Sequence, residues 1–137
     1  MLFNVDFDGV LVPNTYEKLL FDKVNNEKLS FSECNPVWDW YDKLVRNPLV
    51  LNTQLLHSLR MLKDRGHYIR LWTNRAYTLK KQTLFNLDEW AGLFDSFEFY
   101  AGRKSESIVE GVAIDNCLTN LSCAELGGIH YEWKEVN

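Results

Sequence analysis

Asp6 and Asp8 stand two residues apart at the end of an apolar run, Leu2-Phe3-Asn4-Val5, with Gly9 directly behind them. A carboxylate in such a place can attack phosphorus and form an aspartyl-phosphate. A second carboxylate two residues on can protonate the leaving oxygen. The phosphoryl group is itself anionic, so attack by an anion needs charge neutralisation. Thr73 and Asn74 end a second apolar run and offer a hydroxyl and backbone N–H groups to phosphoryl oxygens. Lys104 can cancel part of the remaining charge, with Arg75 and Arg103 as alternative cations for a phosphate contact. Asp115 and Asn116 end a third run, Val112-Ala113-Ile114. Asp6 and Asp115 supply the hard oxygen ligands that Mg²⁺ prefers. Taken singly, each group has an ordinary reading. Acids are common at strand–turn junctions, Thr73 can cap a helix, and Lys104 can be a solvated lysine. Their common placement at the ends of apolar runs is what sets them apart.

These groups meet only if the elements that carry them lie side by side. Leu2–Val5 reads as a strand, followed by a sharp turn at Asp6-Phe7-Asp8-Gly9 and a short extended piece at Val10–Val12. Residues 15–48 carry two stretches of helical spacing, one from Tyr16 to Val24 and one from Val37 to Val45. They read together as a small helical insertion. Leu51, Leu55, Leu59 and Leu62 fall on one helical face, with Gly66 placed to cap the C-terminus. Tyr68–Trp72 reads as a strand, Leu79–Trp90 as a helix, and Phe97–Tyr100 as a third strand. Val112–Ile114 reads as a fourth strand, Leu118–Leu126 as a helix ending at Gly127-Gly128, and Ile129–Tyr131 as a last strand. Alternating strands and helices predict an α/β domain with a central parallel sheet. In such sheets ligands bind beyond the carboxyl ends of the strands, where the polar residues above are found.

Composition narrows the function further. At 137 residues the chain is long enough for one domain, 1–137. A net charge of −4, with no block of like charge, argues against an extended nucleic-acid surface. Cys34, Cys117 and Cys123 form no C-x-x-C pair, so a zinc site is not expected and reduced thiols are. No apolar run approaches the roughly 20 residues needed to span a bilayer, and no signal peptide is evident. A cytoplasmic location is the expectation. His57, His67 and His130 lack metal-ligand spacing. Trp38, Trp40 and Tyr41 can stack a planar substrate or pack the insertion onto the core.

The motifs, taken in order, resemble those of the haloacid dehalogenase-like hydrolases. Val5-Asp6-Phe7-Asp8-Gly9-Val10 is similar to the D-x-D-G-[TV] first motif of that superfamily, and Leu71-Trp72-Thr73-Asn74 to its second. Lys104 is similar in placement to its third-motif lysine, and Val112-Ala113-Ile114-Asp115 to its fourth motif. The resemblance implies a Rossmann-like three-layer domain, with residues 15–48 as a small cap. It implies Mg²⁺ dependence, with Asp6 as nucleophile and metal ligand. Asp8 would be general acid and base, and its backbone carbonyl would bind the metal. Thr73 and Lys104 would act on the phosphoryl group. Asn116 stands where the family usually has a second acid, and an amide oxygen can bind Mg²⁺ with less charge.

The expected activity is a phosphomonoesterase acting on a small phosphorylated metabolite, a nucleotide and a nucleic-acid 3′-phosphate end being among the candidates. The site set is Asp6, Asp8, Thr73 and Lys104 for catalysis. Thr73, Asn74, Arg75 and Lys104 bind substrate, and Asp6, Asp8, Asp115 and Asn116 hold Mg²⁺. The alternative is a catalytically weak or inactive relative that binds a phospho-ligand or a protein, and Asn116 is the residue that favours it.

Overall fold

The architecture comes from a computed structural model that describes residues 1–13, 22, 49–75, 79–100 and 102–134. Apart from Asp22, the insertion expected over 15–48, with Trp38, Trp40 and Tyr41, lies outside the described residues.

The described residues form an α/β structure around a five-stranded, all-parallel sheet in the order β3-β2-β1-β4-β5. The strands are β1 (Leu2–Val5), β2 (Tyr68–Thr73), β3 (Ser96–Phe99), β4 (Val112–Asp115) and β5 (Gly128–His130). Beyond residue 48 the described residues form the helices α1 (Thr53–Asp64), α2 (Lys80–Asn86) and a single short turn, α3 (Leu118–Leu121). Among the described residues no helix is long and apolar enough to cross a membrane.

Strand alternation divides the core between two faces. Phe3 and Val5 of β1, Ile69 and Leu71 of β2, and Val112 and Ile114 of β4 lie in register on one face. There they pack against Leu56 and Leu59 of α1 and against Leu87, Leu93 and Phe94. Full burial of each such leucine contributes about 1.5–3 kcal/mol. Trp72 and Ala113, on the opposite face, form a smaller cluster with Val109 and Cys123.

Helix α1 is bounded by strong signals at both ends. Asn52 caps its start, its side-chain oxygen accepting from the Leu55 N–H at 3.1 Å. At its other end the Gly66 N–H donates to Lys63 O and the His67 N–H to Leu62 O, the double bond of a Schellman cap.

Three sequence expectations need correction. Val10–Val12 is not extended but turns tightly, with the N–H groups of Val10, Leu11 and Val12 all donating to Phe7 O. The helix expected over Leu79–Trp90 breaks after Asn86 and resumes as one 3₁₀ turn at Asp88–Trp90. The buried Asn86 side chain accepts from Leu49 N–H and donates to Gln82 O. The tighter turn that follows lets Leu87 and Leu93 both reach the core. The helix expected over Leu118–Leu126 stops at Leu121. The backbone beyond it bonds to the segment before β4 instead, Val109 N–H to Cys123 O, Glu125 N–H to Val109 O and Leu126 N–H to Gly111 O.

Candidate active site

The strand order reverses direction at β1. From there β2 and β3 extend to one side and β4 and β5 to the other. Such a switch point opens a crevice at the carboxyl ends of the two central strands. Asp6 follows β1 directly and Asp115 ends β4, so these two acids flank the crevice. The ladder continues one step past β1, with the Asp6 N–H donating to Ile114 O at 2.9 Å, which fixes the start of the acidic turn against β4.

Lys104 joins the two acids. It opens a single 3₁₀ turn, Lys104–Glu106, in the link between β3 and β4. This link has no longer helix, but the one turn is enough. The ammonium donates to Asp6 Oδ1 at 2.8 Å and to Asp115 Oδ2 at 2.9 Å. It also sits 4.3 Å from the centre of the Trp72 ring, a favourable face for a cation. The turn is held by Ser107, whose N–H and hydroxyl both donate to the Lys104 carbonyl. The Lys104 side chain is 1 % exposed. Burial, the largest single influence, pulls its pKa down. The charges of Asp6 and Asp115 and their hydrogen bonds together outweigh that, so it lies above the ordinary lysine value.

Asp115 is oriented from its other oxygen, where Oδ1 accepts from the Cys117 N–H at 2.9 Å. Asn120 donates to Oδ2 at 3.3 Å. The Asn116 backbone carbonyl lies 3.1 Å from His130 Nε2, and its side-chain oxygen is buried.

A second ion pair lies beside the first. Arg75 grips Asp8 with a fork, Nε to Oδ2 and Nη2 to Oδ1, both at 3.0 Å. Its remaining terminal nitrogen, Nη1, donates to Gln82 Oε1 at 3.0 Å and Thr83 Oγ1 at 3.3 Å, on α2. The guanidinium also lies 4.5 Å from the centre of the Phe7 ring. The Thr73 side-chain oxygen accepts from the Arg75 N–H at 3.1 Å, which leaves its hydroxyl hydrogen to donate elsewhere. Asn74 donates from Nδ2 to Tyr100 O and Gly102 O, tying the end of β2 to the loop that leads into Lys104.

The residues singled out in the sequence thus gather at one sheet edge. Asp6, Asp115 and Lys104 form one cluster, and Asp8, Arg75 and Thr73 another beside it. Of the expected phosphate contacts, the Asn74 amide donates to backbone carbonyls and the Arg75 guanidinium to Asp8, Gln82 and Thr83. Arg103, the other alternative cation, supplies none of the contacts described above. Gln82, Thr83, Trp72 and the Cys117 N–H were not anticipated. Each acts through another residue, and single-residue patterns carry no signal of that.

Among the described residues no group of three or more His, Cys, Asp and Glu side chains gathers as a metal cage. Mg²⁺ does not require one, since it is commonly held by one or two carboxylates and keeps several waters. Asp6 and Asp115 converge on a single ammonium, so their carboxylates lie close enough for a shared cation, and all the candidate donors are oxygens. The donor set therefore fits Mg²⁺. No protein-family model matches the chain, and no curated protein matches it in sequence.

Proposed function

We propose that the protein is a Mg²⁺-dependent phosphomonoesterase of the haloacid dehalogenase-like type, a single Rossmann-like three-layer domain in which residues 15–48 form a cap. The observation that carries this reading is the buried Lys104 ammonium bridging Asp6 and Asp115 at the switch point of a parallel sheet. A lysine shared by two acids leaves that edge near charge balance and suits it to an arriving phosphoryl dianion once a divalent cation is present.

The chemistry follows from the positions. An Asp6 carboxylate oxygen attacks phosphorus, and the bond from phosphorus to the ester oxygen breaks. Asp8 gives its proton to that departing oxygen, leaving an aspartyl-phosphate on Asp6. Water then attacks the acyl-phosphate, with Asp8 taking its proton back as general base, and inorganic phosphate leaves. Lys104 offsets charge on the transferring group, and the Thr73 hydroxyl donates to one of its oxygens. Mg²⁺, held by Asp6, Asp115, the Asp8 carbonyl and Asn116, neutralises phosphoryl charge when bound. The substrate is a small phosphorylated metabolite, with nucleotides and 3′-phosphate ends as first candidates.

The test is phosphate release from nucleotides, a 3′-phosphorylated oligonucleotide and sugar phosphates, with and without Mg²⁺, beside Asp6→Asn. Release that requires both Mg²⁺ and Asp6 is the expected result. Asn116 favours a second reading, a phospho-ligand or protein-binding relative without turnover. Ligand binding with no release from any substrate would establish that one instead.

A further inference from the structure

Arg75 is the buried cation whose role the reaction above leaves open. It lies at the sheet edge two residues after Thr73, where a contact to substrate phosphate would be the simple assumption. The geometry argues otherwise. Its side chain is 0 % exposed, whereas that of Asp8 keeps 11 %. Its fork closes on both oxygens of Asp8, and Nη1 is anchored to Gln82 and Thr83. Thr83 is fixed in turn, its hydroxyl donating to Leu79 O at 2.8 Å, so its oxygen is presented to the guanidinium as an acceptor. Phe7, between the two acids in sequence, covers one face of the guanidinium. Asp8 is thereby the more accessible end of a chain of contacts that runs back through Arg75 into α2.

We propose that Arg75 is a positioning residue: it acts on the leaving-group side of the reaction by fixing the Asp8 carboxyl through α2, and it does not bind the phosphoryl group. The inference rests on the phosphatase reading and adds to it a means of setting which substrates depend on proton donation. A carboxyl on a turn has two free torsions. A bidentate fork removes both in the ionised form. When Asp8 carries the proton it donates, the protonated oxygen gives up its arm of the fork, and the other arm, anchored through α2, keeps the group aimed along one line. Proton donation matters most when the leaving oxygen is a poor one, as in an alkyl phosphate, and least when it departs readily as an anion, as in an aryl phosphate. The consequence of losing Arg75 must then depend on the leaving group.

The experiment compares wild type, Arg75→Met, Arg75→Lys and Gln82→Leu on glycerol phosphate, an alkyl ester, and 4-nitrophenyl phosphate, an aryl ester, with Mg²⁺ present. Inhibition by inorganic phosphate is measured in parallel. Arg75→Met should lower kcat on the alkyl ester by about 10²-fold or more, the scale of general acid catalysis. The loss on the aryl ester should be under about tenfold, with KM and phosphate inhibition little changed on both. Arg75→Lys keeps the charge but cannot form the fork, so it should restore only part of the alkyl activity. Gln82→Leu touches neither Asp8 nor substrate and should give the same unequal pattern at smaller size. It also carries the test if Arg75→Met does not fold. Equal losses on the two esters, or a rise in KM and weaker phosphate inhibition, would overturn the inference and make Arg75 a phosphate ligand. A wild type inactive on both esters and on the wider substrate panel would overturn the phosphatase reading itself.

Discussion

Lys104→Met removes a cation and keeps most of the side chain's volume. In the protein the ammonium meets two carboxylates, at 2.8 and 2.9 Å. At an effective dielectric of about 20, each contact is an attraction of about 6 kcal/mol. Desolvation of the three charges offsets most of this, at several kcal/mol per ion. With methionine in place, Asp6 and Asp115 remain buried and face each other with no cation between them. Breaking a buried ion pair from one side costs about 3–5 kcal/mol, a large share of the roughly 5–15 kcal/mol that holds a domain together. The expected fall in melting temperature is roughly 10–20 °C. Thermal and urea unfolding would measure it, together with a cycle that adds Asp115→Asn. The double variant should be more stable than the two single losses predict, by about 1–3 kcal/mol, because the second change removes the repulsion that the first exposed. Millimolar Mg²⁺ should raise the midpoint of Lys104→Met more than that of the wild type. The wild type has a further signature. The Lys104 pKa is higher folded than unfolded, so its stabilisation is complete below the unfolded value of 10.5. It is lost only as pH rises through the folded value, an alkaline loss that Lys104→Met should not show. If Lys104→Met unfolds within about 1 kcal/mol of wild type and the cycle is additive, the bridge contributes nothing and the reasoning about the acid pair fails.

Other predictions concern the scaffold and the metal. Asp95 accepts from Lys63 Nζ at 2.7 Å and from the Ile69 N–H at 2.8 Å, and these bonds hold its carboxyl below the usual value. Asp95→Asn should cost about 0.5–1 kcal/mol at neutral pH. In urea unfolding at several pH values, its deficit should shrink as pH falls below about 4 and through the lowered pKa, since the wild type then loses the same contribution. Gly111 has φ +84°, and a Cβ there would collide with the Leu2 carbonyl, whereas a Cβ at Gly66, with φ +92°, meets open space. Gly66→Ala should therefore cost about 1–2 kcal/mol from backbone strain alone. Gly111→Ala should cost clearly more in the same unfolding assay, or prevent folding. Asn116→Asp adds a charge to the proposed Mg²⁺ ligands and should tighten the ion by roughly tenfold by calorimetry. An unchanged affinity would remove Asn116 from the site.

What could be read from the sequence depended on how local each signal was. The strands β1, β2 and β4 are short apolar runs whose polar ends mark where the sheet stops, so both the elements and the acids at their tips were legible. Lys104 was legible as a cation in the right link. Its reach could not be read, because one 3₁₀ turn held by Ser107 was enough to deliver it. The failures came where backbone bonding partners lie far away in sequence. Leu118–Leu126 has helical spacing, but residues 123–126 find partners at 109–111 and leave the helix. Asn86 looked like an ordinary helical residue until its side chain was seen to take the Leu49 N–H. Arg75 was noticed for its charge, while the residues that decide where it points, Gln82 and Thr83, carry no mark of that duty in the sequence.

The segment after β5 sets the order in which the site can come into being. The Tyr131 N–H donates to Asp115 O and the Trp133 N–H to Gly9 O, while the Tyr131 hydroxyl accepts from Asn52, which also holds Val10 O. The acidic turn is translated well before β5, yet one of the bonds that pin it, from the Trp133 N–H to Gly9 O, is made with a residue that follows β5. Strand β1 likewise waits for β4, its neighbour across a sequence separation of 108 between Asn4 and Val112. A ribosome therefore carries these residues without a finished crevice until β4 and the segment after β5 have emerged. The central strand spends that time with one edge open, the interval in which a chaperone would be most useful and a stray strand most dangerous.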